Sequence, residues 1–473
     1  MSHLLADITP VARPNLAAAM REKIEEARRQ QTTTAGITRI TVRVEEHAPL
    51  NFLHWLAALE TGVLTGVSKY YWSDRTRVRE TAAVDIAHSV TAHTHDDLAR
   101  IFDTLETSLH GQPDTVRYFG GFRFDLNWNR DTAGSPWRTF PTARFVLPRF
   151  ELIRYADSLL FACNLCESDW RDSSLKHIFS TLDALPFVDP PVPTPAPTVL
   201  DRHDLPEFDA WQSTLRSVDE MFARRELQKI VLARQSTLTF DRPLSPWVLL
   251  DQLQAGSDGC YLFGMQTEPG TAFVGSSPEQ LYRRDGVRLR TEAVAGTRPR
   301  GGTTEEDNRL AEALRTSEKD AREHRVVLEG IIEALTRLDI RYKHEPTPSV
   351  RSLSRVHHLT CPIIGKLPES TTDRDLITAL HPTPAVGGYP KASALAQIRL
   401  LEPFDRGWYA GPIGWIGSTG AEFAVGIRSA LIDQTSLHLF AGAGIVPGSD
   451  PESEWREVDT KMSRFIAAVA GSE

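Results

Sequence analysis

The chain has 473 residues, of which 41% are hydrophobic and 24% charged, the balance of an ordinary globular protein with a large core. A net charge of −9 argues against a general nucleic-acid or anionic-membrane surface, while leaving room for a local basic cluster that holds a small anion. The four cysteines suit a reducing compartment. Cys163 and Cys166 form a C-x-x-C inside the apolar run LLFACNLC with no second pair, so buried strand thiols are expected rather than zinc or a redox pair.

The start, MSHLLADITPVARP, lacks the charged and apolar blocks of a signal peptide, and no apolar run approaches the about 20 residues that cross a bilayer. A cytoplasmic protein is expected. Residues 14–31 read as a charged surface helix opened by a proline. A strand follows at Ile37–Glu46, a short helix at Leu50–Leu59, a strand at Val67–Asp74 and a helix over 95–109. Tyr118–Asp125 (YFGGFRFD) reads as a strand kinked at its paired glycines, and ARFVLPRFELIRY and SLLFACNL as a strand pair. The first half, about residues 1–185, is thus β-rich with helices on one side.

Residues 186–206 carry seven prolines and predict an extended, semi-rigid connector. It separates two halves in sequence without requiring two domains. The second half, 207–473, opens with a helix at Phe208–Arg224 and a strand rich in branched residues at Leu227–Phe240. A helix at Pro246–Gln254 and strands at YLFGMQ and TAFVGSSPEQLYRRDGVRLRTEAVAGT come next, then two helices between Thr304 and Leu338 and a strand at HHLTCPIIGKL. From Leu380 onward, glycines and turn prolines alternate with short strand-like runs until a closing helix carries Glu454, Glu457 and Lys461 at i, i+3 and i+7.

That helix places its carboxylates at the edge of the apolar stripe Val458, Met462, Phe465 and Val469, where an acid needs a cation; oxygen ligands of this kind suit Mg²⁺. A second acidic helix lies upstream. Ser317 with Asp320 three residues on is a capping-box-like start, and Asp320, Glu323, Val327 and Ile331 fall along one stripe. Alone, Glu323 reads as a solvated edge acid; with two inward-facing acids on the closing helix, a shared Mg²⁺ explains it better. His324, one step off the stripe, reads as structural.

Lys229 sits among Ile230, Val231 and Leu232, and from this stretch alone it is expected to snorkel to solvent; desolvated, it would become a general base. Glu279, in SSPEQL, either caps the following turn or, protonated in a closed pocket, serves as a general acid. AGTRPRGG reads as a basic anion-binding loop without the phosphate-loop pattern. GAGIVPG has one residue too many between its glycines for a dinucleotide fingerprint, so those glycines are read as letting backbone N–H groups approach a carboxylate. Arg428 is a candidate bidentate partner for such a carboxylate, or else half of a buried ion pair.

Taken together, KIVLAR, GSSPEQL, EAVAGTRPRGG, SEKDAREH, LHPTPAVGGYP, RGWYAGPIGW, IRSAL and GAGIVPGSDPESEWREVDTKM resemble the chorismate-utilising enzymes, and among them the isochorismate synthases. FGGFRFD and LPRFELIR extend the likeness into the first half, toward the menaquinone-type members. The resemblance implies one α+β domain over residues 1–473, built of two stacked antiparallel sheets with helices outside. It implies Mg²⁺ held through Glu323 and Glu457 with Glu454 and Asp320 nearby; the Asp320 position is often Glu in relatives. It makes Lys229 the general base, Glu279 the general acid, and Arg428, Tyr409, Lys461, Thr297 and the Gly442 backbone the binders of substrate carboxylates, with His381 lining the site. Water would add at C2 of chorismate while the C4 hydroxyl departs, the buried amine and buried acid both being uncharged.

Within the family, anthranilate and aminodeoxychorismate synthases usually carry Gln where this chain has Lys229, and the latter place a Lys where Ala295 stands. An LLES-like tryptophan-binding stretch is absent from the start of this sequence. Water is therefore the expected nucleophile, with no obligatory glutaminase subunit and a monomer or homodimer expected. A salicylate synthase, which goes on to eliminate pyruvate, ranks second, with an anthranilate or aminodeoxychorismate synthase component below it; the alternative from another class is a non-catalytic metal- or carboxylate-binding relative. The product would feed menaquinone or siderophore synthesis.

Overall fold

The computed structural model describes residues 10–30, 36–45, 50–128, 135–187, 197–354 and 356–470. The first nine residues, read above as lacking a leader pattern, and residues 188–196 of the proline-rich connector lie outside the described residues.

Strongly periodic segments fold where the sequence puts them. The helix Pro246–Gln254 begins at Ser245, whose hydroxyl accepts from the Val248 N–H, with proline in the first turn where no N–H is missed. Several elements escaped prediction, among them the strand Arg79–Ala92 and the helices Asp172–Ala184, Asp373–Leu380 and Lys391–Leu401. RETAAVDIAHSVTA has no clean alternation. It is a strand because Lys69–Ser73 pairs along one edge and Ala143–Tyr155 along the other, and partner edges outweigh weak local preference. Val199–Leu205, expected inside the connector, is a strand paired with Lys229–Phe240.

The pairings are antiparallel and form one ladder. From Val199–Leu205 it runs through Lys229–Phe240, Ser436–Ile445, Ser429–Asp433, Thr271–Ser277, Tyr261–Glu268 and Lys69–Ser73 to Arg79–Ala92. Ala143–Tyr155 then carries it over to Arg117–Phe122, Pro412–Gly417, Gly420–Val425, Gln280–Asp285, Arg288–Pro299 and Val356–Lys366. The ladder folds back on itself. Tyr70, Trp72 and Phe263 from one arm and Phe119 and Ile413 from the other line a single small void between the layers. These are the two stacked antiparallel sheets expected from the sequence, joined through one long strand.

Aromatic side chains fill the space between layers and loops. Trp137 lies 5.4 Å from Phe273 and 5.6 Å from Phe440, and Trp408 lies 5.3 Å from Phe140, each such pair adding about 0.5–1.5 kcal/mol beyond its buried area. The paired glycines of Arg117–Phe122 do not kink the strand. A Cβ at Gly120 would strike the Arg144 carbonyl and one at Gly121 the Trp408 ring, so both glycines permit close approach of neighbours. The first-half strands Lys69–Ser73 and Arg117–Phe122 pair with Tyr261–Glu268 and Pro412–Gly417 of the second half. The helices Glu318–Arg337 and Pro451–Ala470 pack on the strands Arg288–Pro299 and Ser436–Ile445, between which the site opens.

Candidate active site

A cavity of about 300 Å³ lies where these elements converge, at the small end of ligand pockets. Lys229 enters it as the first residue of Lys229–Phe240, fully buried rather than snorkelling. The strand's neighbours cover both sides, with Tyr389 paired opposite Lys229 and Ile445 opposite Ile230, so the side chain cannot turn outward to bulk solvent and lies in the cavity. Glu279 occupies the two-residue break between Thr271–Ser277 and Gln280–Asp285, fixed through its backbone when the Val425 N–H donates to its carbonyl (3.0 Å). Thr297 follows a register shift in Arg288–Pro299 at Gly296, which has φ +77°; a bulge of this kind re-aims the next side chain. Its hydroxyl sits 3.0 Å from His358 Nδ1.

Glu323 comes from the second turn of Glu318–Arg337, a helix capped by Ser317, whose hydroxyl accepts from the Asp320 N–H. Glu454, Glu457 and Lys461 share the inner face of Pro451–Ala470. Arg428 sits in the turn between two strands at φ +49°, its carbonyl accepting from the Ser276 N–H (2.9 Å). Tyr409 stacks on Phe440 at 5.4 Å, and burial pushes its hydroxyl up to about 12, keeping it a donor.

Charge is balanced inside the cavity. Lys229 Nζ lies 2.9 Å from Glu323 Oε1, an ion pair by distance whose angles fall outside hydrogen-bond range. Lys319 pairs with Glu454 at 3.0 Å, Lys461 with Glu457 at 2.7 Å, and Arg298 with Asp320 at 2.5 Å. Lys461 also donates to the Gly442 carbonyl (2.8 Å). Among the described residues, Arg428 and Glu279 are the cation and the acid of this cavity without an ion-pair partner. Burial holds Arg428 below its ordinary value, and burial together with Glu292 pushes Glu279 up to about 7, against the pull of Lys229, Arg75 and Arg351. An acid that keeps its proton near neutrality and an arginine open to a carboxylate are the two groups this arrangement leaves for a ligand.

The four other acids form an all-oxygen donor set. Burial raises Glu454, which Lys319 offsets and the neighbouring Glu457 reinforces, whereas the Lys461 charge lowers Glu457. Gly444 leaves room beside them, since a Cβ there would meet Glu323 Oε1 at 2.5 Å and Lys229 Cε at 3.1 Å. Among the described residues no three acids, histidines or cysteines converge at metal-ligand spacing. Mg²⁺ asks for less, commonly one or two carboxylates completed by water and substrate oxygens, and carboxylate oxygens are the donor type these side chains offer.

Of the residues singled out from sequence, eleven line this cavity: Lys229, Glu279, Thr297, Asp320, Glu323, Tyr409, Arg428, Gly442, Glu454, Glu457 and Lys461. His381 does not. It is buried in the core with Nε2 2.9 Å from the Phe124 carbonyl, and burial takes it down to about 3, so it is a neutral packing residue. The basic loop is spent as well, because Arg298 is committed to Asp320 and Arg300 to Asp307 at 2.6 Å. Sequence reasoning missed Lys319 and His358 and took Gly444 only as one of the glycines of GAGIVPG. Lys319 directly precedes the acidic stripe and Gly444 closes GAG, signals that were present; the inward turn of His358 is set by strand pairing alone. A larger cavity of about 880 Å³ near His93, Arg123 and Trp137 contains none of the candidate residues.

Comparison with known proteins gives a consistent picture. A family model described as chorismate binding enzyme matches residues 22–470. Isochorismate synthase MenF of Bacillus subtilis is 32% identical over 446 residues, covering 91% of this chain and 92% of its own. Salicylate biosynthesis isochorismate synthase of Pseudomonas aeruginosa is 34% identical over 365 residues, 76% of this chain and 75% of that one. The solved structure of MenF, the menaquinone-specific isochorismate synthase from Escherichia coli, superposes with a TM-score of 0.82 at 28% identity, covering 96% of this chain and 99% of that one.

Proposed function

We propose, for a chain that belongs to the chorismate-binding enzyme family, that its activity is that of an isochorismate synthase, an isomerase converting chorismate to isochorismate. The observation that carries this reading is the leftover pair: a buried acid raised to about 7 and an unpaired arginine, in one cavity with a fully buried lysine.

Chorismate carries two carboxylates. Arg428 takes one in a charge-assisted contact, with the Tyr409 hydroxyl as a further donor. Lys229, as the neutral amine, accepts the proton of a water that adds at C2, and the 2.9 Å pairing with Glu323 is that of the ammonium so formed. Glu279 gives its proton to the C4 hydroxyl, which leaves as water while both double bonds of the ring diene shift, the C1–C2 pair to C1–C6 and the C5–C6 pair to C4–C5. One water is consumed and one released, and the proton gained by Lys229 matches the proton lost by Glu279. Such acid and base roles are each worth about 10²–10⁴ in rate. Glu323 and Glu457, with Glu454 and Asp320 beside them, would hold Mg²⁺, and that ion when bound supplies a charge that neutralises a ring carboxylate and draws electron density from the diene. The arrangement is supported by the carboxylate set lining the same cavity as Lys229.

The test is one assay: purified protein with chorismate, with and without Mg²⁺ after chelator treatment, products separated by chromatography. Isochorismate formed only with Mg²⁺ is the expected result. Salicylate with pyruvate would replace this reading by a salicylate synthase, and absence of turnover would leave a binding protein. Which pathway consumes the product, menaquinone or siderophore synthesis, follows from the partner enzymes and not from this cavity.

A further inference from the structure

Glu279 is flanked by a charged cluster that none of the roles above uses. Arg75, in the turn between Lys69–Ser73 and Arg79–Ala92, reaches across from the first half of the chain. Its guanidinium donates to both carboxylate oxygens of Glu292, at 3.0 Å to Oε2, and to the Pro278 carbonyl at 2.5 Å. Arg351, on Ser349–Ser352, donates to the same Glu292 Oε2 (2.9 Å) and the same Pro278 carbonyl (3.2 Å). Glu292 Oε1 accepts from the Gln280 N–H (3.0 Å). The residues immediately before and after Glu279 are therefore both held by one ion cluster. Glu292 is 7% exposed, and none of Arg75, Glu292 and Arg351 lines the cavity.

We propose that Arg75, Glu292 and Arg351 are positioning residues for the general acid: they clamp the Pro278–Glu279–Gln280 backbone so that the Glu279 carboxyl is presented to the cavity. The proposal rests on the assignment of Glu279 as the acid. Two forks on one carbonyl and one carboxylate fix a loop that a single hydrogen bond would leave free to turn, because the planar guanidinium orients as well as attracts. Glu292 keeps its charge in this setting. Burial pushes it up, but the charges and hydrogen bonds of Arg75 and Arg351 outweigh this and bring it to about 2, so it stays anionic. The groups that act on Glu279 are Glu292, Lys229, Arg75 and Arg351, with Tyr409 also nearby. The first half of the chain thus takes part in the chemistry through Arg75, while none of its described residues lines the cavity.

The experiment compares kcat, KM and the pH profile of chorismate turnover for wild type, Glu292→Gln and Arg351→Met, with thermal melting as the check on folding and Glu279→Gln as control. Both clamp variants should lose about 10- to 100-fold in kcat with KM within about twofold, since they displace the acid without touching the substrate. The upper pH limb should move in opposite directions. Glu292→Gln removes a like charge and leaves two arginines facing Glu279, so its limb moves down by about one unit; Arg351→Met removes a cation, so its limb moves up. A merely structural role would not split the two. Limbs that stay put or move together in folded variants, while Glu279→Gln is inactive, would overturn the clamp alone. A Glu279→Gln enzyme with wild-type turnover would remove the acid assignment and the clamp with it. Should Glu292→Gln not fold, Arg351→Met, whose side chain is 25% exposed, decides by its upward shift.

Discussion

A carboxyl group shut away from water beside another carboxylate holds its proton, and Glu279 is placed in that way next to Glu292. Since the acid must be protonated to release the C4 hydroxyl, and its value lies at about 7, kcat should fall as the pH rises through that value. A pH–rate profile from about 5 to about 10 checks this, and a kcat still flat well above 7 would contradict it. Gly444 gives a second prediction at the same scale. A Cβ there meets only the ends of flexible side chains, Glu323 Oε1 and Lys229 Cε, so Gly444→Ala should leave the melting temperature nearly unchanged. It should nevertheless cut kcat on the order of 10²-fold by displacing those groups by about an ångström. A large fall in melting temperature with normal kcat would mean that the space is structural.

Elements bring these residues together, and the sequence announces some of them better than others. The acidic stripes of Glu318–Arg337 and Pro451–Ala470 were legible because helical spacing puts Asp320 with Glu323, and Glu454 with Glu457, on single faces. Lys229 was not. Its strand segment fits both an exposed and a buried lysine, and only the pairings with Gly388–Tyr389 and Ser436–Ile445 decide for burial. His381 failed for a related reason: its neighbours in LHPTPAVGGYP do reach the cavity, through Ala385 and Val386, while its own ring turns back to Phe124. The resemblance supplied the roles, since no spacing rule links Lys229 with Glu279. At this scale the helix start is testable. Ser317→Ala removes the side chain that accepts from the Asp320 N–H and should cost about 1 kcal/mol, read as a lowered urea midpoint with unchanged slope. An unchanged midpoint would mean that water replaces the cap.

Across the whole molecule, the sequence divides at its prolines where the sheets do not. Arg117–Phe122 and Lys69–Ser73 from the first half are paired into the layers of the second, and Arg75 reaches Glu292. Residues 207–473 produced alone would expose the edges of Pro412–Gly417 and Tyr261–Glu268 and should show no cooperative thermal transition; a folded, active fragment would contradict the shared core. Among the described residues no helix is long and apolar enough to cross a membrane. What the assembled fold is proposed to achieve is the addition of a solvent oxygen to one ring carbon as a different oxygen leaves. Turnover of chorismate in ¹⁸O-labelled water therefore tests the account most directly. The isochorismate formed should carry one heavy oxygen, on the C2 hydroxyl; product without label would mean that the hydroxyl migrates within the substrate, and that Lys229 and Glu279 do not act on water as described.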